Sequence, residues 1–282
     1  MTASFPGRHL GVIGWPVAQS LSPRLHNHWL RQHKIDAAYQ ALPVQPEALA
    51  ETLRALPERG FIGVNITIPH KEAACRLVDT CDAAAAAVGA INTIRVDAQG
   101  ALHGSNTDVT GFATNVRNGG HDFRAGPALV LGAGGAARAV LAALSAEGCP
   151  QIYLTNRTRA RAEQLAAQHR AGRTDEIRII AWEQRATILP DIKLLVNTTA
   201  LGMMGQDPLA LDLTTLPPDA AVNDLVYKPL QTPLLAAASA RNLRTIDGLG
   251  MLLYQAQAAF HIWFGITPAV TPELRDYVLT KE

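Results

Sequence analysis

Ala128-Leu129-Val130-Leu131-Gly132-Ala133-Gly134-Gly135-Ala136-Ala137-Arg138 is the stretch around which the rest of the chain is organised. Its four opening apolar residues are too few for a helix and apolar enough for a buried strand. They run straight into a glycine cluster. Residues 136–146 beyond it are rich in alanine and leucine, which predicts a helix. Strand, glycine turn and helix form the context in which a Gly-x-Gly-x-x-Gly/Ala spacing acquires meaning. Gly132 permits the tight turn, Gly134 lets the backbone approach a pyrophosphate, and Ala137 is small enough for close helix–strand packing. The helix N-terminus offers N–H groups and a partial positive charge to phosphates. An ordinary strand-to-helix turn is the alternative; the flanking pattern favours a nucleotide site.

The following segment refines this. Residues 151–155 read as the next parallel strand, ending in Asn156-Arg157-Thr158-Arg159-Ala160-Arg161. An NAD site places an acidic residue near this strand end for the ribose 2′-hydroxyl, whereas a basic one accommodates a 2′-phosphate. No Asp or Glu lies between Gln151 and Arg161, while three arginines do. Arginine meets a phosphate with a planar fork of donors, so NADP is the expected cofactor. A solvated basic start to the helix at 159–169 is the bland alternative.

At 282 residues the chain can bury a sizeable core and is expected to form two domains. Lys and Arg number 25 against 24 Asp and Glu, which gives no electrostatic reason to bind nucleic acid or an acidic membrane. Residues 1–9 lack the apolar core of a signal peptide. The most apolar long window, 128–146, carries three glycines and Arg138 and is no membrane span. Cys75, Cys81 and Cys149 are odd in number and show no Cys-x-x-Cys spacing, as expected of reduced, cytoplasmic packing residues. The histidines form no His-Glu-x-x-His pattern, and His26 and His28 point to different faces of a helix, so no metal site is expected.

Before the glycine turn, residues 9–14 predict a strand. Ser22-Pro23 predicts a helix to about residue 33, with the Ser22 hydroxyl at the N-cap and proline in the first helical position. Ser20 and Ser22 therefore sit where an anion such as a carboxylate is favoured, although capping alone would account for Ser22. Residues 37–42 read as a strand, 46–56 as a helix and 61–69 as a strand, with Pro69 opening a further helix. Asn65 and Thr67 would share one face of that strand. Lys71 falls in the first turn of the next helix, where the dipole disfavours a cation. An acid/base role and a surface lysine are both open on the local sequence. Residues 82–88 predict a helix, and 89–96 and 101–104 a hairpin around Asp97-Ala98-Gln99-Gly100. Asn106-Thr107-Asp108 precedes a helix at 109–118 and is accounted for by capping.

Further strands are expected at 177–181, 193–197, 221–224 and 244–246, with a helix at 231–240. Alternation of this kind means a parallel, doubly wound sheet whose ligands sit at the carboxyl ends of strands. Asn197-Thr198-Thr199 and Asp224-Leu225-Val226-Tyr227 fall there. Asp247-Gly248-Leu249-Gly250-Met251 opens a long helix from 251 to about 265, with Gln255 on the same face as Met251. Residues 271–280 predict a last helix, returning the chain to its first domain and leaving a cleft between the two.

Taken together these residues resemble the shikimate dehydrogenase family along essentially the whole chain. The matching motifs run in order: Gly14-Trp-Pro-Val-Ala-Gln-Ser-Leu-Ser-Pro23, Asn65-Ile-Thr-Ile-Pro-His-Lys71, Gly89-Ala-Ile-Asn-Thr93, Asn106-Thr-Asp108 and Gly132-Ala-Gly-Gly-Ala-Ala137. Asn156-Arg-Thr158 with Arg161, Asn197-Thr-Thr199, Asp224-Leu-Val-Tyr227 and Asp247-Gly-Leu-Gly-Met251 follow. The resemblance implies an α/β fold of two domains. An N-terminal α/β substrate domain would take residues 1–107 and 249–282, and a Rossmann-type doubly wound NADP domain residues 108–248. The implied reaction is NADPH-dependent reduction of 3-dehydroshikimate to shikimate, in the pathway to aromatic amino acids.

The same resemblance makes Ser20 and Ser22 carboxylate-binding and Asn65, Thr67, Asn92, Gln255 and Tyr227 polar substrate contacts. Lys71 and Asp108 become the catalytic pair, Lys71 donating a proton or stabilising the developing charge. Cofactor contacts are expected from Gly132, Ala133, Gly134, Gly135, Ala136, Asn156, Arg157, Thr158, Arg161, Thr198, Thr199, Gly248 and Met251. The partner is a small molecule, and the chain a monomer or homodimer. Three positions depart from the family pattern: Gln19 stands where histidine is common, Val109 where glycine is, and Ala200 where serine is. An NAD-dependent quinate/shikimate dehydrogenase is the nearest rival, disfavoured by Arg157 and Arg161. A folate-type dehydrogenase is disfavoured by the paired serines, and a non-catalytic NADP sensor by the presence of both Lys71 and Asp108.

Overall fold

The computed structural model describes residues 8–170 and 177–280, so most of the 1–9 segment read for a leader lies outside the described residues. The chain divides into two compact units, Met1–Thr107 with Gln255–Glu282, and Asp108–Tyr254.

The first unit contains β1 (Arg8–Gly14), α1 (Ser22–Gln32), β2 (Ala37–Pro43), α2 (Leu49–Arg54), β3 (Phe61–Ile66), α3 (Lys71–Cys75), β4 (Thr80–Cys81), α4 (Ala83–Val88), β5 (Thr93–Val96) and β6 (Leu102–Ser105). Its sheet is mixed, in the order β2-β1-β3-β5-β6-β4. β1 pairs in parallel with β2 and β3, while β5 runs antiparallel to both β3 and β6. The β5–β6 hairpin closes as expected, with Asp97 Oδ1 accepting from the N–H groups of Gln99 and Ala101 and Gly100 at φ +85°. Ile13, Phe61, Val64, Ile66, Ile91 and Ile94 form a buried core on this sheet, each worth about 1.5–3 kcal/mol of burial.

Three local expectations need correction. Leu21, not Ser22, is the N-cap of α1, and no side chain caps it. Instead Ser20 Oγ accepts the Ser22 N–H at 3.3 Å. The helix expected at 46–56 is a 3-10 turn, Pro46–Ala48, followed by the short α2. β3 stops at Ile66 and Pro69 does not open a helix; α3 begins at Lys71. A residue before proline is biased away from helix, and proline has no N–H to extend the ladder. Thr67 therefore lies past the strand end, its N–H bonded to the Ile13 carbonyl at 2.8 Å.

The second unit begins within α5 (Thr107–Asn118) and continues through β7 (Ala128–Leu131), α6 (Gly135–Ala146), β8 (Ile152–Thr155), α7 (Arg159–Arg170), β9 (Ile177–Ile179), β10 (Leu194–Asn197), β11 (Ala221–Asp224), α8 (Pro233–Ala240) and β12 (Arg244–Ile246). α9 (Gly248–Phe264) begins in this unit and ends in the first, where α10 (Pro272–Leu279) also belongs. The sheet order is β12-β11-β10-β7-β8-β9 and every pairing is parallel. β7 is central, and its apolar run is explained by burial on both faces. Ala128 and Val130 pack with Val140 and Leu144, and Leu129 and Leu131 with Leu195 and Val222. The strand order reverses at β7, between β10 and β8, which is where such sheets bind ligands. Among the described residues no helix is long and apolar enough to cross a membrane.

His26 on α1 is fully buried among aromatic rings in the first unit, stacked on Tyr39 at 4.3 Å and close to Trp29, Trp263 and Phe260. Neither ring nitrogen has a hydrogen-bond partner, and burial lowers its pKa from 6.5 to about 3. Below pH 6.5 the unfolded chain takes up a proton that the folded chain refuses, so stability is lost as pH falls and levels off near 3. From pH 7 to pH 5 the expected loss from this ring is on the order of 2 kcal/mol. Denaturant unfolding of wild type and His26→Phe at both pH values checks it: the variant should lose less by that amount, and equal losses would contradict the assignment.

Candidate active site

In the first unit the polar side chains gather where β3 runs beside β5, with Asn65 opposite Thr93. Asn65 Nδ2 donates to the Asn92 carbonyl and to Thr93 Oγ1, both at 3.0 Å. Its Oδ1 accepts from the Tyr39 hydroxyl at 2.6 Å. Asn92 Oδ1 accepts the Thr107 N–H at 2.7 Å, and its Nδ2 donates to Thr107 Oγ1 at 2.9 Å and Gln255 Oε1 at 3.2 Å. Asn65, Asn92, Thr93, Thr107 and Gln255 are all buried. A buried polar group without a partner costs about 1–3 kcal/mol, so these side chains hold their places by satisfying one another. The resulting rigidity suits groups that must meet the fixed hydroxyls of a small ligand.

Lys71 is half-buried at the start of α3, and its carbonyl accepts the Ile91 N–H at 3.0 Å, one residue from Asn92. His70 before it is buried, with Nε2 2.8 Å from the Val44 carbonyl. The lysine backbone is thus fastened to the same strand end as the amide cluster. Ser20 and Ser22 lie together at the start of α1, joined by the Ser22 N–H. Thr67 packs at the end of β1, where a Cβ on Gly14 would come within 2.4 Å of its Cγ2.

The second unit carries a groove of about 260 Å³ at the carboxyl ends of β7, β8 and β10, lined by Gly132, Ala133, Gly134, Asn156, Arg157, Arg161, Trp182, Thr198, Thr199, Ala200, Leu201 and Gln206. Gly132 sits at φ +103°, and a Cβ there would meet Thr198 Oγ1 at 2.7 Å and Thr199 Cγ2 at 2.9 Å. Gly132→Ala is therefore expected to cost about 2 kcal/mol of stability, and an unmoved denaturation midpoint would contradict this packing. A Cβ on Gly134 or Gly135 would instead enter open space, and at Gly134 bare backbone faces the groove. The loops around it are pinned. Ala133 N–H donates to Asn156 Oδ1 at 3.2 Å, and Thr198 Oγ1 to the Leu131 carbonyl at 2.8 Å. Asn197 Oδ1 accepts from the Thr199 hydroxyl at 2.7 Å, and its Nδ2 donates to Asp224 Oδ1 at 2.9 Å. Burial pushes the Asp224 carboxyl above its ordinary pKa, partly offset by bonds from Thr232, Val226 N–H and Asn197.

A phosphorylated dinucleotide fits these residues. A glycine turn opening a twelve-residue helix supplies N–H groups for a pyrophosphate. Two exposed arginines, and no carboxylate among the described residues of the groove wall, suit a 2′-phosphate.

Of the cofactor residues expected from sequence, Gly132, Ala133, Gly134, Asn156, Arg157, Arg161, Thr198 and Thr199 line the groove. Gly135 and Ala136 continue the first turn of α6, and the Thr158 carbonyl accepts from Asn156 Nδ2 at 2.9 Å, shaping the loop. Gly248 and Met251 do not line this groove: a Cβ on Gly248 would lie 2.2 Å from the Leu225 carbonyl, and Met251 packs on the core beside Val109 and Leu225. Of the substrate residues, Asn65, Asn92 and Gln255 meet in one network of the first unit. Tyr227, half-buried with its phenol pKa raised by burial, and Asp108, at 7% exposure, belong to the second unit. Trp182, Leu201 and Gln206 were not legible as groove residues. Trp182 lies just beyond the carboxyl end of β9, and that position is the signal that could have found it.

Three family models match in order along the chain: shikimate dehydrogenase substrate binding domain over residues 12–94, shikimate / quinate 5-dehydrogenase over 116–202, and shikimate 5′-dehydrogenase C-terminal domain over 248–272. The shikimate dehydrogenase (NADP(+)) of Rhodospirillum rubrum is 52% identical over 97% of this chain and 98% of its own length. Among solved structures, the shikimate 5-dehydrogenase of Thermus thermophilus, in complex with NADP(H) and shikimate, is 38% identical, with a TM-score of 0.84 over 96% of this chain and 98% of its own. The quinate dehydrogenase of Corynebacterium glutamicum, in complex with NAD, is 31% identical, with a TM-score of 0.90 over 97% of this chain and 99% of its own. With the models falling in sequence order and a relative half identical over nearly the full length, this chain belongs to the shikimate dehydrogenase family.

Proposed function

We propose that this chain catalyses the reversible NADPH-dependent reduction of 3-dehydroshikimate to shikimate, in the pathway to aromatic amino acids. The observation that carries the reading is the groove of the second unit, a bare glycine turn flanked by Arg157 and Arg161 with no carboxylate among the described residues of its wall. The R. rubrum relative, named for NADP(+), and the T. thermophilus enzyme, with NADP(H) and shikimate bound, support the same pairing of cofactor and substrate.

When bound, the reduced nicotinamide supplies a hydride to the ketone carbon at C3. Lys71 delivers the proton that the ketone oxygen takes up as it becomes a hydroxyl, and Asp108 orients Lys71 and a neighbouring substrate hydroxyl. Ser20 and Ser22 receive the substrate carboxylate at the start of α1. Asn65, Thr67, Asn92, Gln255 and Tyr227 read the ring hydroxyls, and the buried amide network lets Asn65 and Asn92 do so without reorganising. The odd cysteine count without paired spacing supports a cytoplasmic setting.

The quinate dehydrogenase with NAD defines the rival reading, and the two groove arginines favour NADP over it. Initial rates with shikimate or quinate, each with NADP+ or NAD+, test the choice. Shikimate with NADP+ should give the highest kcat/KM, by about tenfold or more over NAD+. A higher value for quinate with NAD+ would overturn the proposal.

A further inference from the structure

We propose that Tyr39 is a positioning residue for substrate: it couples the start of α1 to the Asn65 amide, and so sets the two sides of the substrate site relative to each other. The inference rests on the function proposed above, which makes Ser22 and Asn65 substrate contacts.

Two residues of α1 converge on Tyr39. Asn27 brackets its backbone, Nδ2 donating to the Tyr39 carbonyl at 2.8 Å and Oδ1 accepting its N–H at 3.0 Å. His26 stacks on its ring at 4.3 Å with only 11° between the planes, and Trp263 closes in at 6.1 Å. Ser22 begins the same helix, one turn before His26 on the same face. The sheet register then sets Tyr39 level with Leu10 in β1 and Asn65 level with Val12, so that all four side chains share a face. Tyr39 therefore reaches over β1 to deliver its hydroxyl to Asn65 Oδ1 at 2.6 Å.

That bond decides which way the Asn65 amide points. Both hydrogens of Nδ2 are taken by the Asn92 carbonyl and Thr93 Oγ1, and Oδ1 is held by a proton from Tyr39. The buried tyrosine, 3% exposed, cannot swing aside, because its ring and its backbone are both clamped. Contacts from α1 through Tyr39 to Asn65 thus join the helix that opens at Ser22, assigned to the carboxylate, with a residue assigned to a ring hydroxyl. Without the phenol hydroxyl, Asn65 Oδ1 loses its donor and the amide can turn away from its ligand. Phenylalanine preserves the stack on His26 and removes only this coupling.

Wild-type turnover of shikimate is measured first, and its absence would sink the proposed function itself. Given turnover, Tyr39→Phe is expected to raise KM for shikimate about tenfold, the loss of one hydrogen bond, with kcat within about threefold and KM for NADP+ unchanged. A KM for shikimate that stays put in the folded variant would overturn the positioning role alone. So would a parallel rise in both KM values with a lowered melting point, the signature of general loosening.

Discussion

Lys71→Ala is expected to lower kcat for shikimate oxidation by about 10²–10⁴-fold while leaving KM within a few fold, the pattern of a group acting at the transition state. Several observations converge on this lysine. It opens α3, where the helix dipole gives no reason to place a cation. Its backbone is fastened by the Ile91 N–H and flanked by the anchored His70, so its position is specified more closely than a solvating lysine requires. It stands one residue across from Asn92, the centre of the buried amide network. Steady-state rates over a range of shikimate concentrations check the expectation. A variant that loses only KM would make Lys71 a binding cation and leave the proton donor unassigned.

The second large effect is on the cofactor. Replacing Arg157 and Arg161 together by alanine is expected to raise KM for NADP+ by about 10²-fold, since each charge-assisted bond to a phosphate is worth about 1.5–3 kcal/mol and both side chains are solvent-exposed. KM for NAD+, which lacks the 2′-phosphate, should stay within about twofold, so the ratio of the two reports the arginines directly. The NADP+ value of the wild type should also rise with salt more steeply than that of the variant. Equal losses with both cofactors would mean that the arginines hold up the loop instead of reading the phosphate.

What the sequence disclosed follows from how local each signal is. The glycine turn at Gly132–Ala137 and the arginines after β8 were legible because strand, turn and helix lie next to one another in the chain. The alternation of strands and helices then implied a parallel sheet, and β7 supplied the continuous apolar run of a strand buried on both faces. The errors arose where a distant residue competed with a neighbour. Ser22 reads as a helix cap, yet Leu21 takes that position and Ser22 gives its N–H to Ser20 Oγ. Thr107 reads as a cap as well, yet it is bound to Asn92. The cofactor contacts of Gly248 and Met251, which follow a family motif, remain proposals: the first packs against the Leu225 backbone and the second on the core. Tyr39 carried no signal at all. An aromatic residue in a short strand is ordinary, and its role depends on contacts from α1, β3 and α9 that no spacing reveals.

The most direct test is to supply the purified protein with shikimate as sole oxidisable substrate and NADP+ as sole acceptor, and to follow reduced nicotinamide by its absorbance. Steady accumulation of NADPH, abolished by omitting shikimate and much slower when NAD+ replaces NADP+, is the expected result. No reduction of NADP+, or faster reduction of NAD+ under the same conditions, would contradict the account.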